Sequence, residues 1–329
     1  MKILPYAILI FLLACQTEKE NPPSAKSDSN KIEKVEVKDY TKTGVGLVVL
    51  GNVQDAGSPQ VGCYKECCKS LQENLDPTRM VVSMGLIDYD NHKKYIFEAS
   101  PDFVSQWADL NEFAGFDTNK VDGIFLTHAH IGHYTGLMFL GMESMNGDHV
   151  PVYSMPKMSQ FLSENGPWSQ LVKFGNVDLK PIGSDMKTII SSNIVVEPFV
   201  VPHRDEFSET VGFRIFGPNK SVLFIPDINK WSIWKTSIVD EIKKVDYAFL
   251  DGSFYDGNEL LNRNMGDIPP PFIVESMELF NSLSEEEKSK VHFIHFNHTN
   301  PLLRKGSKEY QQVINKGYDI AEFHEYFEL

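Results

Sequence analysis

The sequence predicts an α/β fold in which two mixed sheets pack face to face with helices on the outside. Two observations predict it. Apolar runs of strand length recur from residue 44 to near the C-terminus, mostly contiguous within each half of that region. Helical patterns fall in both halves as well, so each half supplies a sheet and its own covering helices. The chain has 329 residues, 42% apolar and 12% aromatic, ample for a large core in one domain or two.

The domain opens at residue 44 with "GVGLVVLGNVQDAG", a buried-strand signal followed by a Gly-containing loop. Further strand-like runs are "MVVSMGLIDY", "KYIFEAS", "GIFLTHA", "VPVYSM", "IVVEPFVVPH", "ETVGFRIFG", "SVLFIPDI", "DYAFLDGSF" and "VHFIHFN". Helical periodicity covers about residues 102–113, 134–142, 158–165, 231–243 and 271–283. No internal repeat is visible.

Ahead of the domain, "MKILPYAILIFLLAC" has one Lys, an apolar run too short to span a bilayer, and then Cys15. Residues 1–14 have the layout of a secretory signal, and "LLAC" resembles a bacterial lipobox. That resemblance implies that Cys15 is lipidated, with residues 15–43 as a polar tether rich in Lys, Glu, Ser and Pro. The expected location is the cell envelope, with a membrane partner through the lipid anchor. A net charge of −14 argues against a nucleic-acid partner, because phosphate backbones need clustered Lys and Arg.

The stretch "THAHIGHYTGL", residues 127–137, holds three histidines in six residues at the end of an apolar run. Imidazole is the commonest ligand of zinc-like ions, and open catalytic sites use three protein ligands plus water. His128 and His130 alternate at strand spacing, so both can face one way, and His133 begins the next turn. Other candidates stand at the ends of later runs: His203 in "FVVPHRDE", Asp227 in "VLFIPDINKW", and His292, His295 and His298 in "VHFIHFNHTNP". Asp227 is also well placed to cap a helix.

The order HxHxxH, His, Asp, His, each after a hydrophobic strand, resembles the metallo-β-lactamase superfamily from Gly44 onward. The resemblance implies a four-layer αββα sandwich with its metal site along one edge between the sheets. It implies that His128, His130 and His203 hold a first metal, that Asp227 bridges, and that His133 and His295 serve a second metal, with His298 the alternative to His295. Gly132 departs from the family's HxHxDH pattern, whose Asp serves the second metal. One tight Zn2+ and a weak second site are therefore expected, with occupancy raised by Gly132→Asp; Fe or Mn are the alternative ions. Within the superfamily, "VLGNVQDAGSPQVGCYKECC", "PHRDEFSETVGF" and "HFNHTNPLL" resemble the proteins named after pyrroloquinoline quinone biosynthesis protein B. The biosynthetic members lack His at positions 128 and 130 and keep an Asp at 132, so the likeness implies a separate, secreted branch.

Cys63, Cys67 and Cys68 in "GCYKECC" suggest either a structural zinc site needing one more ligand or a disulfide. The related biosynthetic proteins resemble this segment with a Cys-rich zinc knot. The resulting expectation is a metal-dependent hydrolase of a small-molecule ester, lactone, amide or phosphodiester, using metal-activated water, with Asp227 as ligand and proton acceptor. Arg204 is the candidate for holding an anionic substrate group, and Asp205, Glu206 and Glu209 are candidates for orienting His203. Two other readings stay open: a metal-dependent oxidoreductase like the biosynthetic relatives, and a metal-binding lipoprotein without catalysis.

Overall fold

The computed structural model describes residues 42–116, 118–259 and 269–329. The signal segment, Cys15 and all but the last two residues of the tether lie outside the described residues.

Two seven-stranded sheets form the body. The first contains β1 (Val45–Gly51), β2 (Ser83–Asp88), β3 (Lys93–Phe97), β4 (Gly123–Phe125), β5 (Val150–Ser154), β6 (Val177–Pro181) and β14 (Tyr326–Glu328), in the order β14-β1-β2-β3-β4-β5-β6. The second contains β7 (Thr188–Ile189), β8 (Val195–Val200), β9 (Val211–Phe216), β10 (Ser221–Ile225), β11 (Tyr247–Asp251), β12 (Val291–Ile294) and β13 (Asp319–Ile320), in the order β13-β12-β11-β10-β9-β8-β7. Each sheet is mixed. Strands β3 to β6 and β10 to β13 run parallel, and the rest pair antiparallel.

Side-chain alternation makes the layers. Along β3, Tyr95 and Phe97 point into the core between the sheets, whereas Ile96 packs under the outer helices. Along β10, Val222 and Phe224 face the inter-sheet core, and Leu223 and Ile225 face the helices of the second half. Because both faces of these strands are covered, they read in sequence as continuous apolar runs. The inter-sheet core is aromatic: Phe97 stacks on Phe125 at 4.7 Å and meets Phe213 edge-on at 5.4 Å.

The outer layers include α2 (Phe103–Ala114), α4 (Pro156–Glu164), α6 (Ile238–Lys243) and α7 (Ile273–Leu279). The segment expected to be helical at 134–142 is a short turn of helix, α3 (Ile131–Tyr134), running into a 3-10 turn over Thr135–Leu140. The expected helix at 231–243 is likewise split, with a 3-10 turn at Trp231–Ile233 before α6. Ser237 caps α6 by accepting from Asp240 N, so the helix starts there instead of at Trp231. Among the described residues no helix is long and apolar enough to cross a membrane.

Candidate metal centre

Strand ends from both sheets converge on one edge of the sandwich. The first sheet delivers Asp55 from the loop after β1, His128 and His130 from the segment after β4, and His133 from α3. The second delivers His203 after β8, Asp227 after β10 and His295 after β12. Backbone hydrogen bonds lock neighbouring segments together. Asn229 N donates to Pro202 O at 2.7 Å, tying the Asp227 loop to that of His203. Gln54 N donates to Phe296 O at 2.8 Å, tying Asp55 to His295, and Val211 N reaches Thr127 O across the sheets.

Two donor groups result, each with ligand atoms within 4.8 Å of one another: His128, His130, His203 and Asp227; and Asp55, His133, Asp227 and His295. Asp227 belongs to both. In the first, His128 Nε2 lies 2.9 Å from His130 Nδ1, which lies 3.2 Å from His203 Nε2; Asp227 Oδ2 is 3.1 Å from His203 Nε2. In the second, Asp55 Oδ1 lies 3.1 Å from His133 Nε2 and 3.2 Å from His295 Nε2.

The outer nitrogens show which ring atoms are free. His203 Nδ1 faces Asn229 Oδ1 at 3.2 Å, and His130 Nε2 faces the Glu206 carboxylate at 3.3 Å. Amide and carboxylate oxygens only accept, so those two nitrogens donate, and the opposite ones, His203 Nε2 and His130 Nδ1, face the donor group. His128 Nδ1 is held by Thr127 Oγ1 at 2.9 Å and His295 Nδ1 by Ser253 Oγ at 3.0 Å. Buried Glu98 sits 3.3 Å from His133 Nδ1, an ion-pair distance without the alignment of a hydrogen bond. Asp251, accepting from Ile228 N and Ser253 N, braces the loops on either side. Two of these residues have strained backbones: Glu98 at φ 75° and His295 at φ 68°.

A metal ion fits this donor set. His130 Nδ1 and His203 Nε2 stand 3.2 Å apart, and tetrahedral zinc with Zn–N bonds of about 2.0–2.1 Å sets ligand atoms about 3.3 Å apart. Asp227 Oδ1 is buried with no hydrogen-bond partner. Burial favours its neutral form, but His203 and His128 hold its pKa well below the carboxylate range. Burial opposes charge on His133 too, yet Glu98 and Asp55 hold its pKa well above that of an ordinary histidine. His128 goes the other way: burial, then neighbouring His133, hold it well below.

An open cleft of about 500 Å³ leads to these groups, with Lys65, Arg204, Phe254 and Asn297 on its walls. Cys63, with Cys67 and Cys68 of α1 (Glu66–Glu73), forms a third group with His298, again within 4.8 Å. The Cys63 and Cys67 sulfurs are 3.8 Å apart, the edge expected of a tetrahedron with Zn–S bonds of about 2.3 Å, and all three thiols are free.

Several sequence expectations are sharpened or corrected by this geometry. His295, not His298, joins the histidine groups; His298 is the fourth member of the cysteine group, which the sequence did not identify. His292 lies elsewhere, stacked on Phe249 at 5.0 Å. Glu206 pairs with His130, whereas His203 is oriented by Asn229. Asp205 accepts from Thr210 Oγ1 and Glu209 from Lys157 N, so both brace the loop instead of orienting His203. Arg204 is largely exposed, 3.8 Å from Glu206. The sequence shows no carboxylate beside Gly132; the loop after β1 places that of Asp55 there. A Cβ on Gly132 would lie 2.6 Å from Asp55 Cα. A side chain at 132 would therefore enter the volume that Asp55 fills.

Comparison with known proteins fits this architecture. A family model described as beta-lactamase superfamily domain matches residues 93–296. Coenzyme PQQ synthesis protein B of Klebsiella pneumoniae is 25% identical over 306 residues, covering 84% of this chain and 95% of that protein. Its counterpart in Rhizobium meliloti is 23% identical, with coverage of 84% and 95%. Among solved structures, zinc-bound PqqB from Methylobacterium extorquens matches with a TM-score of 0.71 at 20% identity, covering 86% of this chain and all of that one. A diphosphatase of the PhnP family matches at 0.59 and 20% identity, covering 87% and 97%. The family match runs from the start of β3 to just beyond His295 and so spans most of the strands whose ends carry the donors: the chain belongs to the beta-lactamase superfamily.

Proposed function

We propose that this protein is a metal-dependent hydrolase acting on a small-molecule ester, lactone, amide or phosphodiester. The observation that carries the reading is the pair of donor groups joined through Asp227 at the floor of an open cleft. Zn2+ held there by His128, His130, His203 and Asp227 would supply Lewis acidity and make water a better nucleophile near neutral pH. The chain's residues do the rest. Asp227 Oδ1, buried and without a partner, is the atom placed to take a proton. Asn229, Glu206, Thr127, Ser253 and Glu98 fix the ring orientations. Arg204 and Lys65 offer positive charge at the cleft wall to an anionic substrate group. The cysteine group with His298 is assigned to a structural zinc.

A redox reading is favoured by the likeness to coenzyme PQQ synthesis protein B, because a His-rich site with carboxylates also suits iron. Against a binding protein without catalysis stands the Asp55 carboxylate, which lies beside His133 and His295 where Gly132 offers no side chain. The test is a panel of lactones, β-lactams, esters and phosphodiesters run on the metal-loaded protein with and without oxygen. Hydrolysis of one class, equal in both atmospheres, is expected. Strict oxygen dependence moves the protein to the redox reading, and full metal loading with no turnover of any class counts against catalysis.

The location proposed for this activity is the cell envelope, with Cys15 lipidated and the domain outside the cytoplasm, on the strength of the "LLAC" motif and the polar segment after it. Cys15→Ser is expected to release the protein from the membrane fraction. Native protein found soluble in the cytoplasm with residues 1–14 still attached overturns this.

A further inference from the structure

We propose that Asp55 is a metal ligand that takes, from the loop after β1, the place a carboxylate at position 132 would occupy, and that residue 132 is glycine because of it. This rests on the reading of the histidine groups as a metal centre. Three observations carry it. Asp55 Oδ1 stands within 3.2 Å of both His133 Nε2 and His295 Nε2, completing a group of four donors with Asp227. An ideal Cβ on Gly132 would meet Asp55 Cα at 2.6 Å and Asp55 Cγ and Oδ1 at 2.7 Å. A side chain at 132 and the Asp55 carboxylate therefore compete for one volume, and any side chain at 132 points at the atoms that Asp55 now supplies. Lastly, the Asp55 loop is pinned where it must be: Val53 bridges both Val81 of the first half and Phe296 just after His295. Gln54 Oε1 also accepts from Asn297 Nδ2 at 2.6 Å.

The charge balance agrees. With Asp55 counted, the second group holds two carboxylates and two imidazoles, so both positions are expected to bind tightly.

Ions per chain, counted by elemental analysis after dialysis against zinc buffers, test this without reference to turnover. Native protein is expected to hold two ions at the histidine groups beyond any at the cysteine group. Asp55→Asn, which keeps the shape, should weaken the second ion by more than the about 100-fold that an outer-shell partner is worth. Gly132→Ala adds only a methyl group and removes no donor, yet should weaken the same ion by pushing Asp55 aside. The double variant Asp55→Gly with Gly132→Asp should regain the ion that either change alone loses, a non-additivity that simple misfolding does not produce. Full occupancy in Asp55→Asn overturns the ligand role, and no recovery in the double variant overturns the exchange. A native protein with no ion at the histidines overturns the metal centre itself, a different result from either.

Discussion

Asp227→Ala is expected to strip both ions from the histidine groups and to end turnover. Asp227 is the one residue common to the two groups, so its removal takes a donor and a negative charge from each. What remains is a set of imidazoles whose facing nitrogens are 2.9 and 3.2 Å apart, and a single carboxylate, Asp55, on one side. The graded series distinguishes a shared ligand from a bystander. His130→Ala should empty the first group while leaving the second populated. Asp227→Asn should keep part of the metal, because an amide oxygen ligates weakly, but lose activity, because it takes no proton. Asn229→Ala only frees the His203 ring and should cost about 10–100-fold. The fold should survive all four, since the aromatic inter-sheet core around Phe97, Phe125 and Phe213 is built from other residues. Metal content, circular dichroism and turnover measured on the series settle the order. Asp227→Ala with two ions bound, or with no greater loss of activity than Asn229→Ala, rejects the shared-ligand assignment.

Much of this site was legible in the sequence because its donors stand where buried strands end. The apolar runs are continuous since helices cover one face of each sheet and the partner sheet the other. That made β4, β8, β10 and β12 conspicuous, and with them His128, His203, Asp227 and the histidines of "VHFIHFNH". Elements without such covering were missed: β6 is exposed at its last two positions, Lys180 and Pro181, and β7 and β13 have two residues each. Helix α9 (Lys308–Asn315) was missed as well; at eight residues it shows its pattern over only about two turns. Asp55 was invisible for a different reason. It lies in an irregular loop, "NVQDAG", with no period to mark its direction, and it matters only because β1 and β12 end side by side. Gly132 was the available signal. A glycine where a ligand is expected can mean a lost donor or a donor arriving from elsewhere, and only the fold separates the two. The choice between His295 and His298 likewise needed the turn after β12, where His295 adopts a left-handed backbone and His298 swings towards α1.

His298→Ala is expected to remove the ion of the cysteine group and to lower the melting temperature by on the order of 10 °C, given the many kcal/mol that structural zinc contributes in small domains and about 2–4 °C per kcal/mol for a medium-sized one. The cysteine group ties the loop that follows β1 to the segment that follows β12. Those same two segments carry Asp55 and His295, eight residues from Cys63 and three from His298 respectively. Loosening the cysteine group should therefore also weaken the second ion of the histidine groups, while the first ion, whose ligands lie on other loops, stays. Cys67→Ser should behave like His298→Ala. The alternative is a disulfide between two of the three thiols, and the two chemistries respond oppositely to simple reagents. A zinc site is destabilised by a chelator and indifferent to mild reductant; a disulfide is destabilised by reductant and indifferent to a chelator. The 3.8 Å separation of the Cys63 and Cys67 sulfurs matches the zinc case and is far from the about 2.05 Å of a bond. Melting curves with chelator or reductant, alongside metal counts, decide it: a protein that melts early only with reductant, and in which His298→Ala changes neither metal content nor melting temperature, has a disulfide there and an independent active-site loop.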